Sequence, residues 1–218
     1  MKIDVSEALR YLGAGKADEA MRRAAEQTAE ELETKLIPRY VYKVFAMEQR
    51  ENGVLLPEAG LLLTGNMAKT MLQSCHHAVI LCCTLGAEFE RILRMTQARD
   101  MAKAAVLNAC GSAYAEAGCD EAEREIAARF PDLYLTDRFS PGYGDLPLAI
   151  QPGVLAALNA EKRLGVTVTD SCLMLPAKTV TAVIGLADAP QPARIRGCGC
   201  CAVKGSCAYR ERGTHCGI

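Results

Sequence analysis

The chain contains no tryptophan, and four phenylalanines and seven tyrosines are its only aromatic residues. A core organised around large rings is therefore excluded, and the interior must be built from Ala, Leu, Val, Ile and Met. Half of the 218 residues are hydrophobic, enough for one real core or one core with a small appendage. Net charge is also lacking: it is −1, which gives no global bias toward nucleic acid or an anionic membrane. No apolar run approaches the length of a bilayer span. The opening Met1-Lys2-Ile3-Asp4-Val5 lacks the apolar centre of a signal peptide, so a cytoplasmic location is expected. There is no internal repeat, no low-complexity tract and no convincing Ser-His or Cys-His pairing for nucleophilic catalysis. His76 and His77 stand beside an apolar segment, where a structural role is the ordinary one.

Periodicity then divides the chain. Residues 18–35 are rich in Ala and Glu and place Ala20, Ala24, Thr28 and Leu32 on one face, predicting an amphipathic helix that Ile37-Pro38 ends. Residues 40–48 predict a strand, with 54–56 as a short partner after the Asn52-Gly53 turn. A short helix follows over 66–73. The unbroken apolar run 78–84 predicts a buried strand, and 87–97 a helix. Asp100 opens a long helix over 101–129. Its first half is crowded with small residues, and Gly111 in its middle costs about 1 kcal/mol against Ala, which points to a close approach of a neighbour. Residues 133–136 read as extended, 152–164 as a helix ended by Gly165, and 166–173 and 179–186 as strands. Helices and strands mix without strict alternation. The predicted class is α+β, a mixed or antiparallel twisted sheet packed with helices. A domain over 1–188 is expected, with a separate Cys-rich tail over 189–218.

The segment Arg138-Phe139-Ser140-Pro141-Gly142-Tyr143-Gly144 is the most informative. Pro and Gly set the backbone so that amides can face a ligand. Arg offers a planar fork for a carboxylate, and Tyr a flat face for an adenine or a sulfonium cation. The same residues also suit a plain surface turn with a solvated arginine.

This loop resembles the Arg-x-x-x-Gly-Tyr-Pro signature of the reactivation domain of cobalamin-dependent methionine synthase, with Gly144 in place of the proline. Two further stretches are similar in the same order. Leu158 to Gly165 resembles that family's helix ending in Thr-Gly or Leu-Gly. Ser171-Cys172-Leu173-Met174-Leu175-Pro176-Ala177-Lys178-Thr179-Val180-Thr181 resembles its Ser-x-x-Met-x-Pro-x-x-Ser-Val-Ser segment. The likeness is concentrated over 137–185 and is weak in the N-terminal half. It implies an activation-domain-like fold that binds S-adenosylmethionine. Arg138 would meet the ligand's carboxylate end, Ser140 and Gly142 would give backbone contacts, and Tyr143 would be the signature tyrosine. Glu116 is the best match for a ligand-binding glutamate on the preceding helix. Read from the residues alone, Ser112, Glu116, Asp120 and Glu123 share one helical face that is equally well a solvated stripe. The family's ligand-binding aspartate near the N-terminus and its late tyrosine have no clear counterpart. The implied function is reductive methylation that restores an oxidised cobalamin carried by a methyltransferase domain, with flavodoxin or ferredoxin as electron donor.

Of eleven cysteines, six are scattered through apolar segments and read as small buried hydrophobes. The other five, Cys198, Cys200, Cys201, Cys207 and Cys216, crowd the tail. Thiols so spaced suit zinc or an iron–sulfur cluster, although the spacing fits no standard finger and a basic tail with spare thiols is the alternative. Two other functions stay open on the sequence: a metal or iron–sulfur redox protein with a vestigial ligand pocket, and a non-catalytic module that docks on a cobalamin domain.

Overall fold

The computed structural model describes residues 1–13 and 17–192, together with Gly205. The elements run α1 (Val5–Tyr11), α2 (Glu19–Lys35), β1 (Arg39–Ala46), β2 (Glu48–Arg50), β3 (Gly53–Leu56) and β4 (Leu61–Thr64). Then come α3 (Asn66–Leu72), β5 (Cys75–Thr84), α4 (Gly86–Gln97), α5 (Met101–Arg129) and β6 (Tyr134–Leu135). The described part closes with α6 (Gln151–Leu158), α7 (Ala160–Leu164), β7 (Thr167–Val168), β8 (Met174–Leu175) and β9 (Thr179–Ala187).

The apolar run of β5 explains the architecture. In a strand successive side chains face opposite ways, so an unbroken apolar run needs cover on both faces. Ala78, Ile80 and Cys82 enter a core formed with β3, β4, α3, α6 and α7. Val79, Leu81 and Cys83 enter a second core against Cys119, Ala122 and Ile126 of α5. The main sheet is wholly antiparallel, in the order β1-β5-β9-β6. A three-stranded sheet, β2-β3-β4, and a β7-β8 ribbon complete the strands. A third cluster lies on the far side of α5, where Ala8, Leu32, Phe89 and Leu107 bring in α1, α2 and α4.

Helix α5 is thus covered on both sides, which accounts for its small residues. A Cβ on Gly111 would lie 2.2 Å from the Phe89 ring, and one on Gly118 would lie 2.5 Å from Cys83 Sγ. Asp100 caps the helix by accepting from the Lys103 amide at 2.9 Å.

The α+β class and the bounds of the main helices agree with expectation, although α2 buries Ala25, Thr28, Ala29 and Leu32 and leaves the expected Ala20 and Ala24 exposed; four further details differ. The helix expected over 152–164 is broken at Asn159, whose φ of 51° ends α6 and starts α7. Only Thr167–Val168 of the segment 166–173 pair, because the chain turns at once to meet Met174–Leu175. Strand β4 was not anticipated, although Leu61-Leu62-Leu63 fills the β2-β3-β4 sheet. Helix α1 was also missed. Its signal was Asp4, which accepts from the Ser6 and Glu7 amides at 2.8 and 3.1 Å and caps one short apolar turn. No helix among the described residues is long and apolar enough to cross a membrane. The five tail cysteines, Cys198, Cys200, Cys201, Cys207 and Cys216, lie outside the described residues.

Candidate functional site

Three elements fix the loop that begins at Arg138. Phe139 is buried and bridges to Val183 of β9, which pins the loop's start to the sheet. Within the loop, the Tyr143 amide donates to Ser140 O at 3.0 Å and the Gly142 amide to Leu146 O at 2.9 Å. Gly142 and Gly144 have φ of 94° and 54°, a region that glycine enters without strain. At the far end the Asp145 carboxylate accepts from the Asn66 and Met67 amides at 2.6 and 2.8 Å, fastening the loop to the start of α3. Those amides hold the Asp145 carboxyl below the usual aspartate range.

A cavity of about 480 Å³ opens between α1, α5, this loop and the start of β9. Glu116, Arg138, Ser140 and Tyr143 all line it, so the structure brings four of the five expected residues together. Gly142 is exposed and does not line the cavity; its contribution is the backbone turn that presents Tyr143. Helix α1 supplies the wall that sequence reasoning lacked, with Asp4, Glu7, Arg10 and Tyr11. The Arg10 guanidinium bonds Glu7 and lies 4.8 Å from the Tyr11 ring centroid. Burial first, then the nearby Glu116 and Glu7 charges, push the Tyr11 hydroxyl up to about 12, so it stays protonated at neutral pH.

The polar face of α5 remains partly solvated, with Asp120 half-exposed, but it is bridged from the loop. Arg138, whose side chain is 9% exposed, turns its guanidinium onto that face. Nη2 donates to Glu116 Oε2 at 2.5 Å, and Nη1 to Asp120 Oδ1 at 2.6 Å and to Glu123 Oε1 at 2.7 Å. Burial works against the arginine charge, but the surrounding negative groups, Glu123 foremost, outweigh it and hold its pKa above the usual range. Three carboxylates against one guanidinium leave this cluster with two net negative charges. Ser112, on the same face, accepts instead from Lys178 Nζ at 2.7 Å, and burial lowers the pKa of that amine.

A second cavity, of about 580 Å³, lies between α2, α4 and α5. It is larger, but its charged rim is paired internally: Lys103 bonds Glu31, and Arg91 bonds Glu88. None of the loop residues reaches it. The smaller cavity is the stronger candidate, because a conformationally fixed loop, two half-exposed tyrosines and carboxylates converge there. Among the described residues no group of three or more His, Cys, Asp or Glu is placed to hold a metal ion.

No protein-family model matches the sequence, and no curated protein does. Among solved structures the chain is similar to the crystal structure of the MetH reactivation domain bound to AdoHcy, at 16% sequence identity and a TM-score of 0.64. The match covers 91% of this chain and 74% of that one. At this identity the likeness is one of fold, and it places the antiparallel α+β architecture of this chain with that of the MetH reactivation domain.

Proposed function

We propose that the cavity beside the Arg138 loop binds S-adenosylmethionine and presents it to a cobalamin-carrying methyltransferase domain, in support of reductive reactivation of that cobalamin. The observation that carries this reading is the convergence of Glu116, Arg138, Ser140 and Tyr143 on one cavity of about 480 Å³. The fold shared with a domain solved with AdoHcy supports it.

The residues present fit the ligand. The volume lies within the range of about 300–1,000 Å³ usual for small-molecule sites. Tyr143 and Tyr11, 52% and 44% exposed, offer ring faces to an adenine or a sulfonium. Glu116 and Asp120 offer acceptors for an ammonium. Ser140 adds a hydroxyl at the loop side. S-adenosylmethionine would supply an electrophilic methyl group. This chain would bind it, hold its orientation and keep water from one side of it, without a general base or a nucleophile of its own. A flavodoxin or ferredoxin is the proposed electron donor to the partner. The tail cysteines are a separate proposal, as thiolate ligands for zinc or an iron–sulfur cluster.

Calorimetric titration of S-adenosylmethionine into the protein tests the reading. One-to-one binding is expected, weakened about tenfold, or about 1.4 kcal/mol, by Tyr143→Ala and by Glu116→Gln. Absence of binding by the native protein would overturn it.

A further inference from the structure

Lys178 stands apart from the other described lysines. Lys2, Lys35, Lys43 and Lys103 each reach a carboxylate, and Lys69 donates to the Glu51 carbonyl. Lys162 is exposed. Lys178 is half-buried, and its amine donates at 2.7 Å to a neutral group, the Ser112 hydroxyl of α5. Both ends of that contact are fixed. The Lys178 carbonyl accepts from the Leu85 amide at 3.0 Å and from Thr84 Oγ1 at 3.3 Å, which ties its backbone to the end of β5. Ser112 Oγ donates to Asn108 O at 3.3 Å, one turn back along α5, so its lone pairs are left for the amine. The charged groups of the neighbouring helices are committed elsewhere. Glu90 of α4 accepts from the Ala177 amide at 2.6 Å. Glu116, one turn along α5 from Ser112, is bonded by Arg138. An amine taken out of water without a countercharge favours its neutral form, and burial accordingly holds the Lys178 pKa below the ordinary 10.5.

We propose that Lys178 is an acylation site, whose amine takes the acyl group of a small thioester. The neutral Nζ attacks the thioester carbonyl carbon. The C–N bond forms, the C–S bond breaks, and the departing thiolate takes up the proton that the nitrogen loses. The products are an amide and a free thiol, so no oxidant or further reactant is needed. The change removes the charge of Lys178 and leaves one N–H for Ser112. Val180, two residues on and on the same side of the strand, lines the cavity beside the Arg138 loop, so the modification alters the charge at the edge of that cavity. The inference does not depend on which ligand that cavity binds.

Competitive acetylation with S-acetyl-N-acetylcysteamine at pH 8 and low conversion tests it, with peptide mass spectrometry giving a rate for each lysine. Lys178 should react at least about threefold faster than Lys35, Lys43, Lys69 and Lys162, because a lowered pKa raises the neutral fraction more than it weakens the nucleophile. Its rate should reach half of its limiting value below pH 10.5. In concentrated urea the preference should vanish. Ser112→Ala, at a partly exposed position, should cut the preference to less than about twofold, because the amine is then free to turn into water. Circular dichroism checks that this variant is folded. Lys178 reacting no faster than Lys162 in the native protein, or remaining unmodified because its amine is out of reach, would overturn the proposal. A preference that survives in urea would also overturn it, since it would come from the local sequence. So would a preference that folded Ser112→Ala leaves unchanged, since the contact across the α5–β9 seam would then have no part in it.

Discussion

Gly111→Ala probes the packing that carries the site, since α5 bears Glu116, Asp120 and Glu123 and is held between the sheet and the α1-α2-α4 cluster. The added Cβ would lie 2.2 Å from Phe89 Cζ, 2.5 Å from Cε2 and 3.0 Å from Cε1. Phe89 is fully buried, so its ring has no open side to move into. Overpacking of this kind costs about 1–3 kcal/mol, and contact so far inside van der Waals range belongs at the upper end. Alanine recovers about 1 kcal/mol of helix propensity. The net expectation is a loss of about 2 kcal/mol, or about 4–8 °C in melting temperature for a chain of this size. Urea unfolding followed by far-ultraviolet circular dichroism measures it, as a lower midpoint with an unchanged m-value. Phe89→Leu removes the obstructing ring atoms, so the double variant should be less destabilised than the sum of the two singles by about 1–2 kcal/mol. A Gly111→Ala protein as stable as the native one, or strict additivity with Phe89→Leu, would refute the packing argument.

Other expectations concern ionisation and binding. Burial pushes the Cys82 thiol up to about 12 and the Cys110 thiol to about 11, so iodoacetamide at pH 8 should leave both unmodified while partly exposed Cys172 reacts, as peptide mass spectrometry would show. Because these folded values exceed the ordinary 9.0, the stability they confer is complete below about pH 9 and is lost as pH rises through 11–12; an alkaline melting profile flat across that range would contradict this. Asp145 is the opposite case. Its folded pKa lies below 3.8, so its latch on α3 contributes above that pH and is lost as pH falls through the lower folded value. Asp145→Asn should lower the melting temperature at pH 6 and flatten its fall between pH 4 and 3 relative to the native protein. S-adenosylmethionine at about 100 times its dissociation constant should stabilise the protein by about 2.7 kcal/mol. That corresponds to a thermal shift of about 5–11 °C, which Tyr143→Ala should reduce.

Much of this was legible in the sequence where one physical cause dominates. The bounds of α5 follow from the Asp100 cap and the Phe130-Pro131 stop, and its burial from its small residues. The two-sided burial of β5 follows from a run with no polar alternation. The failures have equally specific causes. Leu158 and Ala160 keep an apolar pattern across Asn159, so periodicity alone passes through a break made by one left-handed residue. The 166–173 segment is rich in β-branched residues, but its neighbour is a turn rather than a sheet, and pairing decides strand length. At the candidate site, the loop motif and the family resemblance named residues that the fold brings to one cavity, Glu116, Arg138, Ser140 and Tyr143. Neither anticipated α1, because a seven-residue helix is stabilised by packing on α5 rather than by its own periodicity. The acidic face of α5 stayed open between a ligand wall and a solvated stripe, since nothing local to residues 112–123 reveals that Arg138 folds back onto them.

The most direct test of the account is a crystal structure of the protein with S-adenosylmethionine bound. The account predicts the ligand between α1, α5 and the Arg138 loop, with its cationic groups on Glu116 and Asp120 and an aromatic contact to Tyr143 or Tyr11. Density for the ligand in the groove between α2, α4 and α5, or in neither cavity at saturating concentration, would contradict it.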